Sequence, residues 1–209
     1  MAKKSKSFNI VIYPPKEVSE QAISFSKRLK KKGSLLVLDG KNHFPHVTLY
    51  MTEFPLKSVA KVRKLLKQVA AETKPFQLGH LKYRQNKDGY VDVGYRRSKN
   101  VNKFQRKIIE LLNPLRNGLV RDKDRMRINQ MSATEQKNIR RYGYRSVGAR
   151  YFPHMTFTKL EKFHRSVLSQ IEKMDFSFTV TQIGFFHSGE HGTCCKVIEI
   201  FDLSKKTCR

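Results

Sequence analysis

Apolar positions along this chain switch between two periods. Short β-branched and aromatic runs read as strands, and longer stretches with an apolar residue every three or four positions read as helices. Phe8 to Tyr13 is a strand stopped by Pro14 and Pro15. A helix follows over Lys16 to Lys32. Glu17 and Glu20 lie in its first turns, Lys27, Arg28, Lys30, Lys31 and Lys32 crowd its end, and Gly33 suits the position just beyond. Strands are expected over 35–38 and 44–51. The helix expected over 56–72 carries Val59, Val62, Leu65, Leu66 and Val69 at helical spacing. Residues 76–83 and 90–95 form a hairpin around Asp88-Gly89, a strong turn pair. A helix spans 101–115. In the polar stretch 117–148, Ser132 and Glu135 make a capping box for a short helix over 132–142. A strand over 151–158, a helix over 163–174 and a hairpin of 176–186 with 195–203 complete the chain.

Two of these strands are copies of each other. Phe44-Pro45-His46-Val47-Thr48-Leu49 matches Phe152-Pro153-His154-Met155-Thr156-Phe157, 108 residues on, and each copy runs on into a helix and a hairpin. A lone His-x-Thr triplet arises easily by chance; a repeated Phe-Pro-His-x-Thr string with the same element order after it does not. The expected fold is therefore α+β and duplicated. Two lobes, antiparallel sheets with flanking helices, pack around a central groove with pseudo-twofold symmetry. One such domain fills 1–209: the repeated halves are 41–116 and 149–209, 8–38 packs alongside, and 117–148 is a basic connector. Strand alternation puts His46, Thr48 and Tyr50 on one face, as it does His154, Thr156 and Thr158. Val47, Leu49, Met155 and Phe157 then turn to the lobe cores. Phe44 and Phe152 lie on the histidine side, where they can line the groove.

Charge adds a partner class. Forty-three Lys and Arg against 17 Asp and Glu leave a net +26, which attracts polyanions with salt-sensitive affinity. The connector carries Arg121, Lys123, Arg125, Arg127, Arg140, Arg141, Arg145 and Arg150, interleaved with Tyr142, Tyr144 and Tyr151. Such a mixture can hold phosphates and stack bases, and it equally suits a solvated connector; Tyr144 and Arg150 are candidate substrate contacts. Lys3, Lys4 and Lys6 read as a disordered basic tail. Cys194, Cys195 and Cys208 are too few and wrongly spaced for a disulfide framework. No apolar stretch approaches the roughly 20 residues that span a bilayer. The expected setting is cytoplasmic, with no membrane and no obligate protein partner.

Phosphodiester chemistry needs a base on the attacking oxygen, an acid on the leaving oxygen and donors for the non-bridging oxygens. Two imidazoles facing each other across a groove supply the first two near neutral pH. Thr48 and Thr156 supply donors. His187, His191, Cys194 and Cys195 have residue types that bind zinc, but they cluster at a hairpin tip with no further ligand pair in view, so no metal site is expected. His43 and His80 read as incidental.

The paired motif resembles that of the two-histidine phosphoesterase superfamily, and within it the bacterial 2′-5′ RNA ligase-like, or RNA 2′,3′-cyclic phosphodiesterase, branch. The resemblance runs from Phe8 to Leu203. It implies that His46 is the proton donor, His154 the acceptor, and Thr48 and Thr156 the phosphate-binding residues. It also implies no metal or other cofactor and no need for ATP. The implied function is hydrolysis of 2′,3′-cyclic phosphate RNA ends to 2′-phosphates, with reversible 2′-5′ joining. The expected partners are RNA ends or small nucleotide phosphodiesters. Two alternatives stay open: a phosphodiesterase of 2′-5′ oligoadenylates or cyclic nucleotides, and a non-catalytic basic RNA-binding protein on the same fold.

Overall fold

The computed structural model describes residues 4–164 and 166–204; Lys3 and Cys208 fall outside them. The elements run β1 (Ser5–Ile12), α1 (Lys16–Leu29), β2 (Val47–Pro55), α2 (Val59–Glu72), β3 (Phe76–Leu78), β4 (His80–Gln85), β5 (Tyr90–Tyr95) and α3 (Lys99–Leu112). After them come α4 (Asp122–Arg127), α5 (Ala133–Tyr142), β6 (His154–Lys159), β7 (Phe178–Val180), β8 (Gln182–Ser188) and β9 (Cys194–Asp202). Seven strands form one sheet in the order β4-β5-β6-β2-β1-β8-β9, and β3 pairs with β7 in a second, two-stranded sheet. Every pairing is antiparallel. No helix among the described residues is long and apolar enough to cross a membrane.

The order of the large sheet reveals two exchanged units. β1-α1-β2-β3-β4 corresponds to β5-α3-β6-β7-β8. β2 meets β6 at the middle, β4 pairs with the other unit's β5, and β8 pairs with the other unit's β1. The repeat therefore runs 5–85 and 90–188, not 41–116 and 149–209 with 8–38 alongside. Only the motif strands keep recognisable identity, so β1-α1 and β5-α3 do not announce themselves as copies. Each unit is completed by an outer strand of its partner, which makes the two lobes one folding unit.

The core lies between the sheet and its helices. Phe25 of α1 meets Phe157 of β6 at 4.4 Å and stacks near Tyr83 of β4 at 5.7 Å, while Phe176 closes on Phe157 at 4.9 Å. Phe104 of α3 sits edge-on to Phe76 of β3. Side chains of this size buried completely stabilise the fold by about 1.5–3 kcal/mol each. The Ser132–Glu135 capping box forms as expected at the start of α5.

Two expected elements are absent. Residues 35–38 make no strand: their backbone groups are satisfied one at a time, Leu35 N–H by Lys159 O, Leu36 O by Thr158 Oγ1 and Leu38 N–H by Ser26 Oγ. They cover the edge of β6 with a single bridge at Ser34–Leu160. The helix expected over 163–174 is replaced by turns among the described residues. There the Ser169 hydroxyl donates to the Ser166 carbonyl, a local bond that competes with helix. Tyr83 Oη bonds both the N–H and the carbonyl of Met174 and pins the end of the segment.

A β-bulge interrupts each motif strand at the same place. Against β1, Val11 pairs with Thr48 and Ile10 with Tyr50, so Leu49 is extra; against β5, Asp92 pairs with Thr156 and Val91 with Thr158, so Phe157 is extra. An extra residue reverses side-chain alternation beyond it. Tyr50 and Thr158 consequently leave the histidine face, contrary to simple alternation. Tyr50 Oη donates to Tyr142 O at 2.6 Å and Thr158 Oγ1 to Leu36 O at 2.7 Å. Met51 and Lys159 take their places in the groove.

Each bulge frees a carbonyl that the opposite unit's helix captures. Gln105 of α3 donates Nε2 to Leu49 O at 3.1 Å and to Ser146 O at 2.8 Å. Ser26 of α1 donates Oγ to Phe157 O at 2.6 Å. These buried polar residues on otherwise apolar helix faces are explained by that duty. Ser26→Ala and Gln105→Leu should each lower unfolding free energy by about 1–3 kcal/mol in urea titrations, because each strands a buried carbonyl. Unchanged midpoints would mean that the bulges do not depend on these bonds.

Candidate active site

β2 and β6 touch at one register point, Val47 opposite Met155. The antiparallel register then places His46 across from Thr156 and Thr48 across from His154. All four side chains line one groove of about 670 Å³. The twofold relation sets the two imidazoles diagonally about the crossing, each beside the other strand's threonine.

Both rings are held in the same way. His46 Nδ1–H donates to Phe44 O and His154 Nδ1–H to Phe152 O, each at 2.8 Å. A carbonyl can only accept, so Nδ1 carries the hydrogen and Nε2 is left for the groove. The prolines between, Pro45 and Pro153, restrain the backbone that makes these two-residue contacts. Upstream of His46, Asp39 Oδ1 accepts from the N–H groups of Lys41, Asn42 and His43 at 2.8 Å each, fixing the loop that enters the motif. Asn9 of β1, fully buried, donates Nδ2 to Thr48 Oγ1 at 3.3 Å and to Cys194 Sγ at 3.5 Å.

The surroundings break the symmetry. On the His154 side, Phe152 lies nearly parallel to the imidazole with centroids 5.9 Å apart. Arg84 lies over Phe152, 3.9 Å from its centroid, and forks to buried Asp92 at 3.0 and 3.2 Å. A Cβ at Gly94 would come 2.3 Å from Phe152 Cζ, so glycine is needed for the ring to lie there. This column of guanidinium, phenyl and imidazole fixes the His154 plane and occupies Phe152. On the His46 side, Phe44 packs on Phe186, and the Gly192 carbonyl faces the imidazole. Burial, aided by the His154 charge and opposed by the Phe44 and Gly192 carbonyls, pulls the His46 pKa down to about 4.

The basic stretch 117–148 is a wall of the groove. Arg116, buried four residues beyond α3, donates to the carbonyls of Leu119, Arg140 and Arg141 and anchors that wall. Tyr144 and Arg150 both line the groove. Tyr144 is mostly buried, edge-on to Tyr50, and Arg150 is paired with Glu135 at 3.2 Å. His191 lines the groove, His187 packs on Phe8, and Cys194 is buried against Asn9. His80 lies away from the groove beside Asp175.

A family model described as the 2′-5′ RNA ligase superfamily matches residues 14–192. The chain belongs to the 2′-5′ RNA ligase superfamily. It is similar to a protein of Geobacillus kaustophilus (strain HTA426) described by similarity as a phosphoesterase, 34% identical over 77 residues. That stretch is 36% of this chain and spans 40% of the relative's length. In fold it is similar to E. coli LigT crystallised with phosphate, at a TM-score of 0.58 and 15% identity, covering 97% of this chain and 100% of that one. A crystal structure described as a phosphoesterase matches at TM-score 0.64 and 15% identity, covering 96% of this chain and 99% of that one. TT0787 of Thermus thermophilus matches at 0.59 and 12%, covering 96% of this chain and 100% of that one. The superfamily is one of two-histidine phosphoesterases, and the α+β, antiparallel architecture agrees with it.

Sequence reading missed Asn9, Ser26, Arg84 and Gln105. A lone Asn inside the apolar run Phe8 to Tyr13 was the one available signal. His46 also yields a pH prediction. Its folded pKa, about 4, lies below its unfolded value near 6.5. Between these values the unfolded chain binds more protons, so stability falls as pH drops from about 6.5 toward 4 and is unaffected above that window. His46→Gln should remove up to about 3 kcal/mol of this acid sensitivity, read from urea midpoints at pH 7 and pH 4.5. Equal slopes for both proteins would contradict the burial of a neutral imidazole.

Proposed function

We propose that this protein opens 2′,3′-cyclic phosphates at RNA ends to leave 2′-phosphates, without metal, between His46 and His154. The observation that carries this reading is the crossing at Val47 and Met155, which sets two tethered imidazoles and two threonine hydroxyls around one groove. In-line displacement needs an acid and a base on opposite sides of phosphorus, and a twofold pair of imidazoles supplies them. A water oxygen attacks phosphorus while His154 Nε2 takes its proton. The bond from phosphorus to the 3′ oxygen breaks, and His46 Nε2 gives that oxygen a proton. Thr48 and Thr156 donate to the non-bridging oxygens as charge builds on them. With a 5′-hydroxyl in place of water, the same steps join two ends through a 2′-5′ linkage.

His46 must arrive at this step protonated although burial by itself keeps it neutral. The bound phosphodiester anion raises its affinity for a proton, so substrate binding and protonation are coupled. The Phe44 and Gly192 carbonyls both favour imidazolium and so work in the same direction as the bound anion. E. coli LigT, similar in fold, has been crystallised with phosphate, 3′-AMP, ATP and NADP+, which supports a nucleotide phosphate as the ligand here. The cations along the groove favour an RNA end over a cyclic dinucleotide or a short 2′-5′ oligoadenylate.

The test is turnover of an oligonucleotide with a 2′,3′-cyclic end in EDTA, beside 2′-5′ oligoadenylate and cyclic dinucleotides. The cyclic end should be opened to a 2′-phosphate, and His46→Ala and His154→Ala should each lower kcat by about 10²–10⁴. Turnover that survives either substitution, or vanishes with EDTA, would contradict the mechanism. RNA binding without turnover, unaltered in both variants, would instead favour a non-catalytic role.

A further inference from the structure

At the His46 end of the groove, basic side chains converge from separate elements and outnumber the carboxylates left unengaged there. Lys159 reaches this end because the bulge at Phe157 turns it onto the groove face. It lies over the Tyr90 ring, 5.6 Å from the centroid. Lys123 and Arg127 come from α4, where a spacing of four residues puts them on one face. The carboxylates of the same helix are already engaged: Asp124 with Arg121 at 2.6 Å and Asp122 with Arg125 at 2.5 Å. These two pairs hold the helix and leave Lys123 and Arg127 facing the groove. Of the other carboxylates at this end, Asp88 lines the groove and Glu190 adjoins His191, but both are exposed at turns, where water screens them.

The cations act on one another. Burial first, then Arg127, Arg121 and Lys159, push the Lys123 ammonium below its usual value against the pull of Asp124. Burial and the charges of Lys159 and Lys123 likewise lower the His191 pKa. His191 is next to Gly192, whose carbonyl faces His46, and its own carbonyl accepts from Tyr90 Oη at 3.4 Å. The cluster and the catalytic groove are thus joined through one short loop. Uncompensated like charge in a concave wall is self-repulsive until an anion enters, and it focuses anions there.

We infer that Lys123, Arg127 and Lys159 form a second phosphate subsite, which takes a phosphate of the same substrate neighbouring the one between the histidines. This rests on the phosphodiester chemistry proposed above and specifies the substrate: a nucleotide that carries a further phosphate beyond its cyclic end. That phosphate is either the preceding phosphodiester of an RNA strand or the 5′-phosphate of a single nucleotide. The chemistry recognised is the same in both.

The experiment compares kcat/KM on three substrates: a nucleoside 2′,3′-cyclic phosphate, the same nucleoside with a 5′-phosphate added, and a dinucleotide with the cyclic end. The full chain is assayed beside Lys123→Ala/Arg127→Ala and a control of equal charge loss, Lys64→Ala/Lys67→Ala, on exposed positions of α2. The added phosphate should raise kcat/KM at least about tenfold, and the α4 variant alone should lose that gain while keeping its rate on the bare nucleoside cyclic phosphate. The better of the two phosphate-bearing substrates identifies the source. No gain in the unaltered protein, equal loss on all three substrates, or equal loss in the control overturns the subsite. If no cyclic end is opened at all, the hydrolysis reading fails by itself and the subsite is read by binding. Affinity for an unreactive 2′-deoxy trinucleotide should then lose about 1.4 from its log–log salt slope in the α4 variant, about 0.7 per lost contact. An unchanged slope overturns the proposal.

Discussion

Val47 and Met155 pair at the one point where the two motif strands meet, and the groove chemistry follows from that contact. Antiparallel register turns it into two His–Thr pairings across the seam. Because the strands pair there and nowhere else, the sheet opens beside the crossing into the groove. The bulges at Leu49 and Phe157 let the strands turn away into their own lobes. Their freed carbonyls are caught by Gln105 and Ser26, so each lobe's helix helps hold the other lobe's motif strand.

A symmetric frame supplies two equivalent His–Thr pairs, and their surroundings differ. His154 is clamped under Phe152 and the Arg84–Asp92 pair. His46 has carbonyls beside it, and burial pulls its pKa down to about 4. The wall built from 117–148 belongs to one unit alone. It carries the cations of α4 to the His46 end and makes the groove longer and more positive on that side.

Much of this was written in the residues. His46, Thr48, His154 and Thr156 were legible because the repeat changed two ordinary histidines into a matched pair, and the structure brings all four together. Phe44, Phe152, Tyr144 and Arg150 also lie on the groove, although Phe152 and Arg150 are already engaged by protein groups. The bulges were not legible. A single extra residue leaves no mark on an apolar strand, so alternation wrongly carried Tyr50 and Thr158 to the histidine face. The exchange of outer strands was hidden because β1 and β5 share a fold position and little sequence. The missing helix at 163–174 has the right apolar spacing, yet local serine bonds and the pinning by Tyr83 decide against it.

In the proposed mechanism one phosphate is held by both lobes at once. The most direct test is the crystal structure of the protein with a bound oxyanion such as vanadate. The account predicts a single anion at the crossing, within about 3 Å of Nε2 of both His46 and His154 and of both threonine hydroxyls. An anion held by one lobe alone, or none between the histidines while one sits elsewhere in the groove, would contradict it.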